Sequence, residues 1–182
     1  MTVSCADVLM LLQRLQQQQV GAVVSSRNLV QAVIAQVEGL IKSGVGQCDV
    51  SSLRQFLERV AEDEDAFLRA VRQQFPVVTD GIRWLKTAHE SGRQSVDHVQ
   101  SLVDQVAQLS SAAQQVNAAP ALTFLKGLHS FLTVVMQQRV VVAAQRFDSV
   151  ETRLCSMMET VQDWVEIGRE ERAAIGSALP SH

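Results

Sequence analysis

The sequence is poor in aromatic side chains and in clustered basic ones. Aromatic residues make up 4 % of the 182 positions, tyrosine is absent, and the net charge is −3 at pH 7 with no run of lysine and arginine. Proteins that bind nucleic acids need basic side chains against the phosphates, and proteins that lie on acidic membranes need a similar basic face. We therefore expect no nucleic-acid partner and no binding to an acidic membrane surface.

Cysteine is also scarce. Cys5, Cys48 and Cys155 are far apart and odd in number, and no two of them form a C-x-x-C pair. This spacing does not predict a disulfide framework, so we expect reduced thiols in a cytoplasmic protein. The first residues lack the basic segment that opens a signal peptide. The most apolar stretch, residues 131–144, is interrupted by polar side chains and is too short to span a bilayer.

The three prolines, Pro76, Pro120 and Pro180, stand far apart in the chain. Because proline is excluded from helix interiors, they are expected to mark helix boundaries. Hydrophobic residues make up 47 % of the chain, and between the prolines they recur at helical spacing. No alternating run of β-branched residues indicates a strand. The sequence therefore predicts an all-α protein.

The N-terminal region, residues 1–76, is predicted to contain three short helices. The first two are separated by Gly21 and Ser25–Ser26, and the glycines of the segment 43–46 end the second. Either Ser51 or Ser52 can cap the third, which Pro76 is expected to stop. The predicted spans are about Ser4 to Gln19, Arg27 to Lys42, and Ser51 to Phe75.

Residues 77–176 are predicted to form a long antiparallel helical hairpin with coiled-coil character. One heptad register keeps its phase across Ser91–Gly92, which predicts a single helix over 79–117. After a tight reversal at Asn117–Pro120, an apolar stripe with about three strict heptads predicts a second helix over 121–175. Two such helices cannot bury their stripes alone. We therefore predict an elongated bundle of four to five helices, with residues 177–182 as a flexible tail.

The sequence contains no recognisable catalytic or metal-ligating pattern. The histidines His89, His98, His129 and His182 form neither H-E-x-x-H nor Glu-x-x-His. The glycines of Gly44–Val45–Gly46 precede no phosphate-binding loop. We therefore expect neither an enzyme nor a bound cofactor or metal.

The apolar seam of the last predicted helix is the expected working surface. We expect a non-enzymatic protein-interaction or scaffolding protein, in which this seam packs on a partner helix or on a second copy of the chain. A homodimer is favoured, because the last helix is longer than its predicted partner and stays apolar past the overlap. The seam side chains are Phe147, Val150, Leu154, Met157, Val161 and Trp164.

Two alternatives stay open. One is a ligand-sensing or histidine-phosphotransfer bundle, with His89 or His129 as the phosphate acceptor, although neither is followed by the Lys-Gly pair of phosphotransfer domains. The other is a crescent-shaped helical dimer that curves membranes, which the acidic net charge opposes.

Overall fold

The structure, a computed structural model, describes residues 2–19, 27–93, 96–138 and 141–181. Within these ranges the chain forms six α-helices and two short strands, so the predicted all-α class is confirmed. The predicted helix break at Gly21 and Ser25–Ser26, and His182, lie outside the described residues. The elements are β1 Thr2–Ser4, α1 Cys5–Gln19, α2 Leu29–Lys42, β2 Gln47–Asp49, α3 Val50–Glu90, α4 Val96–Gln115, α5 Ala119–Gln137 and α6 Ala144–Ala178.

The chain folds into two compact units. The first is made of Met1–Asp63 together with Val165–His182, and the second is Glu64–Trp164. Helices α3 and α6 therefore contribute residues to both units. These units do not coincide with the expected regions 1–76, 77–176 and 177–182, whose status as separate domains stays a prediction.

The second unit is an antiparallel four-helix bundle. It is built from the C-terminal part of α3, from α4 and α5, and from the N-terminal part of α6. Helix α4 packs against α5 along its length. Ring contacts join the other neighbouring helices, namely Trp84 of α3 with His98 of α4, Phe131 of α5 with Phe147 of α6, and Phe67 of α3 with Trp164 of α6.

The core of this bundle follows the heptad spacing of the sequence. Buried apolar residues recur at alternating intervals of three and four on α3, α4 and α5, so each of these helices presents a continuous stripe to the centre. Examples are Val71, Phe75, Val78, Ile82 and Leu85 on α3, Val99, Leu102, Val106, Leu109 and Ala113 on α4, and Leu125, Leu128, Leu132 and Val135 on α5.

Helix α3 does not stop at Pro76, so the predicted boundary is wrong. The helix runs from Val50 to Glu90 with Pro76 inside it. Phe75 and Val78, on either side of the proline, are 1 % and 0 % exposed. Proline inside a helix costs about 3 kcal/mol. Burial of the continuous apolar stripe outweighs this cost. Pro76 itself is exposed, so the carbonyl that loses its N–H donor is free to bond to solvent.

The predicted single helix over 79–117 is also wrong, because α3 ends at Glu90 and α4 begins at Val96. Gly92 has a φ of 66°, in the left-handed region. The N–H of Gly92 bonds to the carbonyl of His89, and the N–H of Arg93 bonds to that of Ala88. These two bonds form a Schellman motif, which ends a helix. The register kept its phase because both helices turn the same stripe inward.

Helix ends of the same kind explain the remaining boundaries. The predicted reversal at Asn117–Pro120 is confirmed, with Asn117 at φ 57° and Pro120 in the first turn of α5. The predicted helix over 121–175 is divided, since α5 ends at Gln137 and α6 begins at Ala144. Gln138 is left-handed, and three consecutive β-branched valines follow at 140–142, which disfavour helix. The described ranges thus contain six helices rather than four to five.

The first unit has its own core beneath α1 and α2. Val8 and Leu12 of α1, and Val33 and Val37 of α2, are almost completely buried. The cluster also includes Leu53 and Leu57 from the start of α3, Ile175 from the end of α6, and Leu179, which follows α6. Leu179 belongs to the segment expected to be a flexible tail, and it is 2 % exposed.

A carboxylate from α6 caps the N-terminus of α2 inside this unit. Glu171 Oε1 accepts hydrogen bonds from the backbone N–H groups of Leu29 (3.1 Å) and Val30 (3.2 Å), two donors that a helix leaves unsatisfied in its first turn. Glu171 Oε2 lies 3.4 Å from Nε of Arg27, and the two side chains are 8 % and 4 % exposed. Burial lowers the pKa of Arg27, and the neighbouring carboxylate opposes that shift.

Gly168 makes room for this charged pair. It lies one turn before Glu171 on α6, and a Cβ at this position would overlap the guanidinium group of Arg27. Glycine inside a helix costs about 1 kcal/mol relative to alanine. The structure gives the glycine a packing role.

Candidate functional site

The structure divides the six predicted interaction residues into two groups. Phe147, Leu154, Val161 and Trp164 are between 1 % and 8 % exposed and pack inside the second unit. Val150 and Met157 are half-buried on the side of α6 that faces α5. Only these last two members of the set are accessible to another molecule while the unit stays folded. Use of the whole seam for docking stays a prediction.

Val150 and Met157 line a cavity between α5 and α6. Its volume is about 860 Å³, which falls in the range of about 300–1,000 Å³ typical of binding pockets. The α5 side is formed by Pro120, Thr123, Phe124, Gly127, Leu128 and Phe131, which share one helix face. The α6 side is formed by Arg146, Ser149, Val150, Arg153, Ser156 and Met157, which share another.

The cavity exists because small side chains stand where the two helices face each other. Gly127 has no neighbouring heavy atom within 4 Å of the position that a Cβ would take. Thr123 on α5, and Ser149 and Ser156 on α6, are also short. Larger side chains at these positions would fill the gap between the two helix faces. Because they are absent, the two helix faces form an open groove.

The groove combines an apolar floor with a basic rim. Its apolar side chains come from both helices, and among its lining residues there is no aspartate or glutamate. Arg146 and Arg153 lie seven residues apart on α6, which separates their Cα atoms by about 10 Å along the helix. Both are exposed, and neither forms an ion pair with another described residue.

Two acidic residues of α6 near these arginines, Asp148 and Glu151, lie on a different face of the helix. Glu151 accepts a hydrogen bond of 2.6 Å from Nε of Arg83, and Asp148 accepts one of 2.7 Å from Nζ of Lys86. These hydrogen bonds raise the pKa values of Arg83 and Lys86. Because α3 engages these carboxylates, they do not neutralise the two arginines, and the groove keeps a positive rim.

The sequence gives little sign of this site, because its basic residues are not contiguous. Arg146 and Arg153 are separated by a heptad and each stands beside a seam position, so no basic run is visible in the sequence. The signal is visible on a helical wheel of α6, which separates the arginines from Asp148 and Glu151. The α5 side gave no signal, because a pair of helix faces becomes a groove only when the tertiary fold brings them together.

The three histidines that the structure describes do not line this groove. His89 is half-buried, with its ring centroid 5.7 Å from that of Phe147. His129 is half-buried on α5, and His98 is exposed and stacked on Trp84 at 4.3 Å between ring centroids. Across the described ranges there is no group of three histidine, cysteine, aspartate or glutamate side chains that could hold a metal ion. A phosphate-accepting histidine stays a prediction.

Helix α5, one wall of the groove, is apolar along much of its length. By length and composition it is the one helix in the described part of the chain that could cross a membrane, with a mean hydropathy of 1.3. In the structure 28 % of that window is buried, and α5 packs against α4. Core helices of bundles pass the same test of length and composition, so the expected absence of a membrane span stays a prediction.

No protein-family model, no curated protein and no solved structure matches this chain. No residue role is therefore transferred from another protein.

Proposed function

We propose that this protein is a non-enzymatic binding protein, and that its α5–α6 groove takes an acidic amphipathic helix of a partner protein. One observation supports this most strongly, namely an open apolar groove whose rim carries Arg146 and Arg153 without a carboxylate partner among the described residues. The proposal keeps the expected class of interaction protein and the involvement of α6. It moves the contact from the buried seam to the face that includes Val150 and Met157.

The dimensions of the groove suit a helix. The α6 wall from Arg146 to Met157 is about 16 Å long at 1.5 Å per residue, or three turns. A partner helix with apolar residues at intervals of three and four would lay them on the floor. Two carboxylates about seven residues apart on that helix would then face the two guanidinium groups.

The floor and the rim have different tasks in this proposal. Burial of apolar surface drives association, at roughly 25 cal/mol per Å² removed from water. Exposed ion pairs add only about 0–1 kcal/mol each, so Arg146 and Arg153 mainly select acidic partners, orient them and speed association. We therefore expect charge reversal at the rim to change partner selection and salt dependence more than it changes binding to an apolar ligand.

A small amphipathic anion, such as a long-chain carboxylate, is the second candidate for the same groove. The cavity volume favours it, because it falls in the small-molecule range. This candidate retains the ligand-sensing alternative, with the carboxylate at an arginine and the hydrocarbon chain on the floor.

The test is direct binding of designed probes to the purified chain. The first probe is a fluorescent peptide of about four helical turns, with leucines on one face and glutamates at heptad spacing. The second has the same leucines and lysines in place of the glutamates, and the third is a long-chain fatty acid. The acidic peptide should bind more tightly than the basic one by fluorescence anisotropy, and R146E/R153E should remove that preference.

Arg69→Glu is the matched control, because Arg69 is exposed on α3 and does not line the groove. It should leave the peptide preference unchanged. Equal binding of both peptides, or an unchanged preference in R146E/R153E, contradicts the proposal. Binding of the fatty acid alone favours the second candidate. Light scattering adds one further outcome, since a dimer that R146E/R153E dissociates would identify a second copy of the chain as the occupant.

A further inference from the structure

The first unit brings together two cysteines that are 43 positions apart in the sequence. Strand β1 pairs antiparallel with β2, and Val3 is the direct partner of Cys48. Cys5 follows β1 on the same face as Val3, and its N–H bonds to the carbonyl of Gly46 at 3.1 Å. The Sγ atoms of Cys5 and Cys48 lie 2.6 Å apart, and each residue is 1 % exposed.

This arrangement has the elements that a disulfide requires. The backbones are held in register by a ladder, the two sulfur atoms face each other, and they lie far closer than unrelated side chains in a core. A disulfide needs Cβ atoms about 3.5–4.5 Å apart and side chains that converge. The sequence alone gave no hint of this pair, because spacing does not reveal which strands meet.

We propose that Cys5 and Cys48 form an intramolecular disulfide by exchange with a low-molecular-weight disulfide of the glutathione class. The thiolate of one of the two cysteines attacks one sulfur of the small disulfide, which forms a mixed disulfide and releases one small thiolate. The sulfur of the other cysteine then attacks the protein sulfur of the mixed disulfide and releases the second small thiolate. The two protons of the protein thiols end on the two released thiols, and two electrons pass from the protein to the small disulfide.

Direct contact between the two thiols, together with their burial, limits exchange in the folded state. Cys48 donates the hydrogen in the contact between the two side chains and Cys5 accepts it. Burial and this hydrogen bond raise the pKa of Cys48 to about 12 while the two side chains are in contact, so the folded pair resists exchange. Because both sulfurs are shielded, exchange takes place when the three-residue strand β1 detaches, or while the chain folds.

The disulfide would close a loop that contains all of α1 and α2. It would fix β1 against β2 and thereby restrain the two helices that cover the core of the first unit. Cys155 lies in the second unit and is exposed on α6, so it serves as an internal reference for an unpaired thiol.

The experiment uses the full chain, equilibrated with glutathione disulfide both in the native state and during refolding from denaturant. Free thiols are then alkylated under denaturing conditions, and the protein is analysed by intact and peptide mass spectrometry. We expect a loss of two hydrogens, a cross-linked peptide pair that contains Cys5 and Cys48, and Cys155 outside the cross-link. We also expect the thermal midpoint to rise in the oxidised form and to fall back after reduction.

Cys155→Ser is the matched control and should retain both the cross-link and the shift in thermal midpoint. Cys5→Ser and Cys48→Ser should each lose both, and either variant alone suffices if the other folds poorly. The proposal is overturned if Cys5 and Cys48 are both alkylated after refolding in the glutathione buffer. Cross-links that join Cys155 to either cysteine as often as Cys5 joins Cys48 would also overturn it.

Discussion

Substitution of Glu171 should destabilise the first unit more than any surface mutation, because one carboxylate satisfies two backbone donors and faces a buried guanidinium. Glu171→Ala removes the acceptor of Leu29 and Val30 and leaves Arg27 without this counter-charge. Breaking a buried ion pair by removing one partner costs about 3–5 kcal/mol. We therefore expect a loss of about 4 kcal/mol in the free energy of unfolding.

Glu171→Gln separates the charge from the hydrogen bonds. The amide oxygen can still accept from both N–H groups, but charge-assisted hydrogen bonds are roughly twice as strong as neutral ones. We expect a loss of about 2 kcal/mol, midway between the wild type and Glu171→Ala. Arg27→Met combined with Glu171→Gln should recover part of this loss, since removing both charges of a buried pair is often neutral.

Urea unfolding followed by far-UV circular dichroism gives the free energies, and amide hydrogen exchange locates the change. Protection should fall at the first turn of α2, at Leu29 and Val30, before it falls in α4 or α5. The reasoning is refuted if Glu171→Ala stays within about 0.5 kcal/mol of the wild type, the range of ordinary surface substitutions. It is also refuted if Glu171→Gln costs as much as Glu171→Ala, because the charge would then contribute all of the effect.

Further predictions concern single positions in both units. Gly168→Ala should destabilise the chain, because the new Cβ would overlap Arg27. Gly127→Ala should stabilise α5 by up to about 1 kcal/mol, because no heavy atom lies near its Cβ position. Thermal unfolding of the two variants compares these effects. Hydrogen bonds from Ser52 and Ser51 lower the pKa of Asp49 below its ordinary value of 3.8. Its ionised form therefore stabilises the fold above that pH and loses this effect as the pH falls through the lowered pKa, so Asp49→Asn should flatten the acid limb of the stability–pH curve. Leu154→Ala should lower the free energy of unfolding by about 2–5 kcal/mol, because Leu154 is 1 % exposed in the core. An unchanged urea midpoint would contradict this core position.

The fold was largely predictable where a stripe of apolar residues decides it. Val78, Leu85, Val99 and Val106 are separated by whole heptads in the sequence, and all are buried. Helix ends were harder to predict, because they depend on competing terms. Pro76 is tolerated since the flanking side chains are buried, and no sequence pattern gives the size of that burial in advance.

The functional residues were less predictable, because they are defined by contacts between distant segments. Cys5 and Cys48 meet through a ladder of two three-residue strands, too short to give an alternating pattern. In the sequence, Glu171 is one of several acidic residues near the C-terminus. Its role becomes visible only from its contact with the first turn of α2. Periodicity identifies the face of a helix, but it does not identify the helix that lies opposite.

The positions of the tryptophans give the two units separate optical signals. Trp84, which is 41 % exposed, and Trp164, which is 8 % exposed, both belong to the second unit, and the chain has no tyrosine. Intrinsic emission therefore reports on the second unit alone, while backbone dichroism reports on all the helices. If the two signals change at the same urea concentration, the units unfold as one cooperative system. If dichroism changes first, the first unit melts independently, and each unit then has its own free energy of unfolding rather than one shared value.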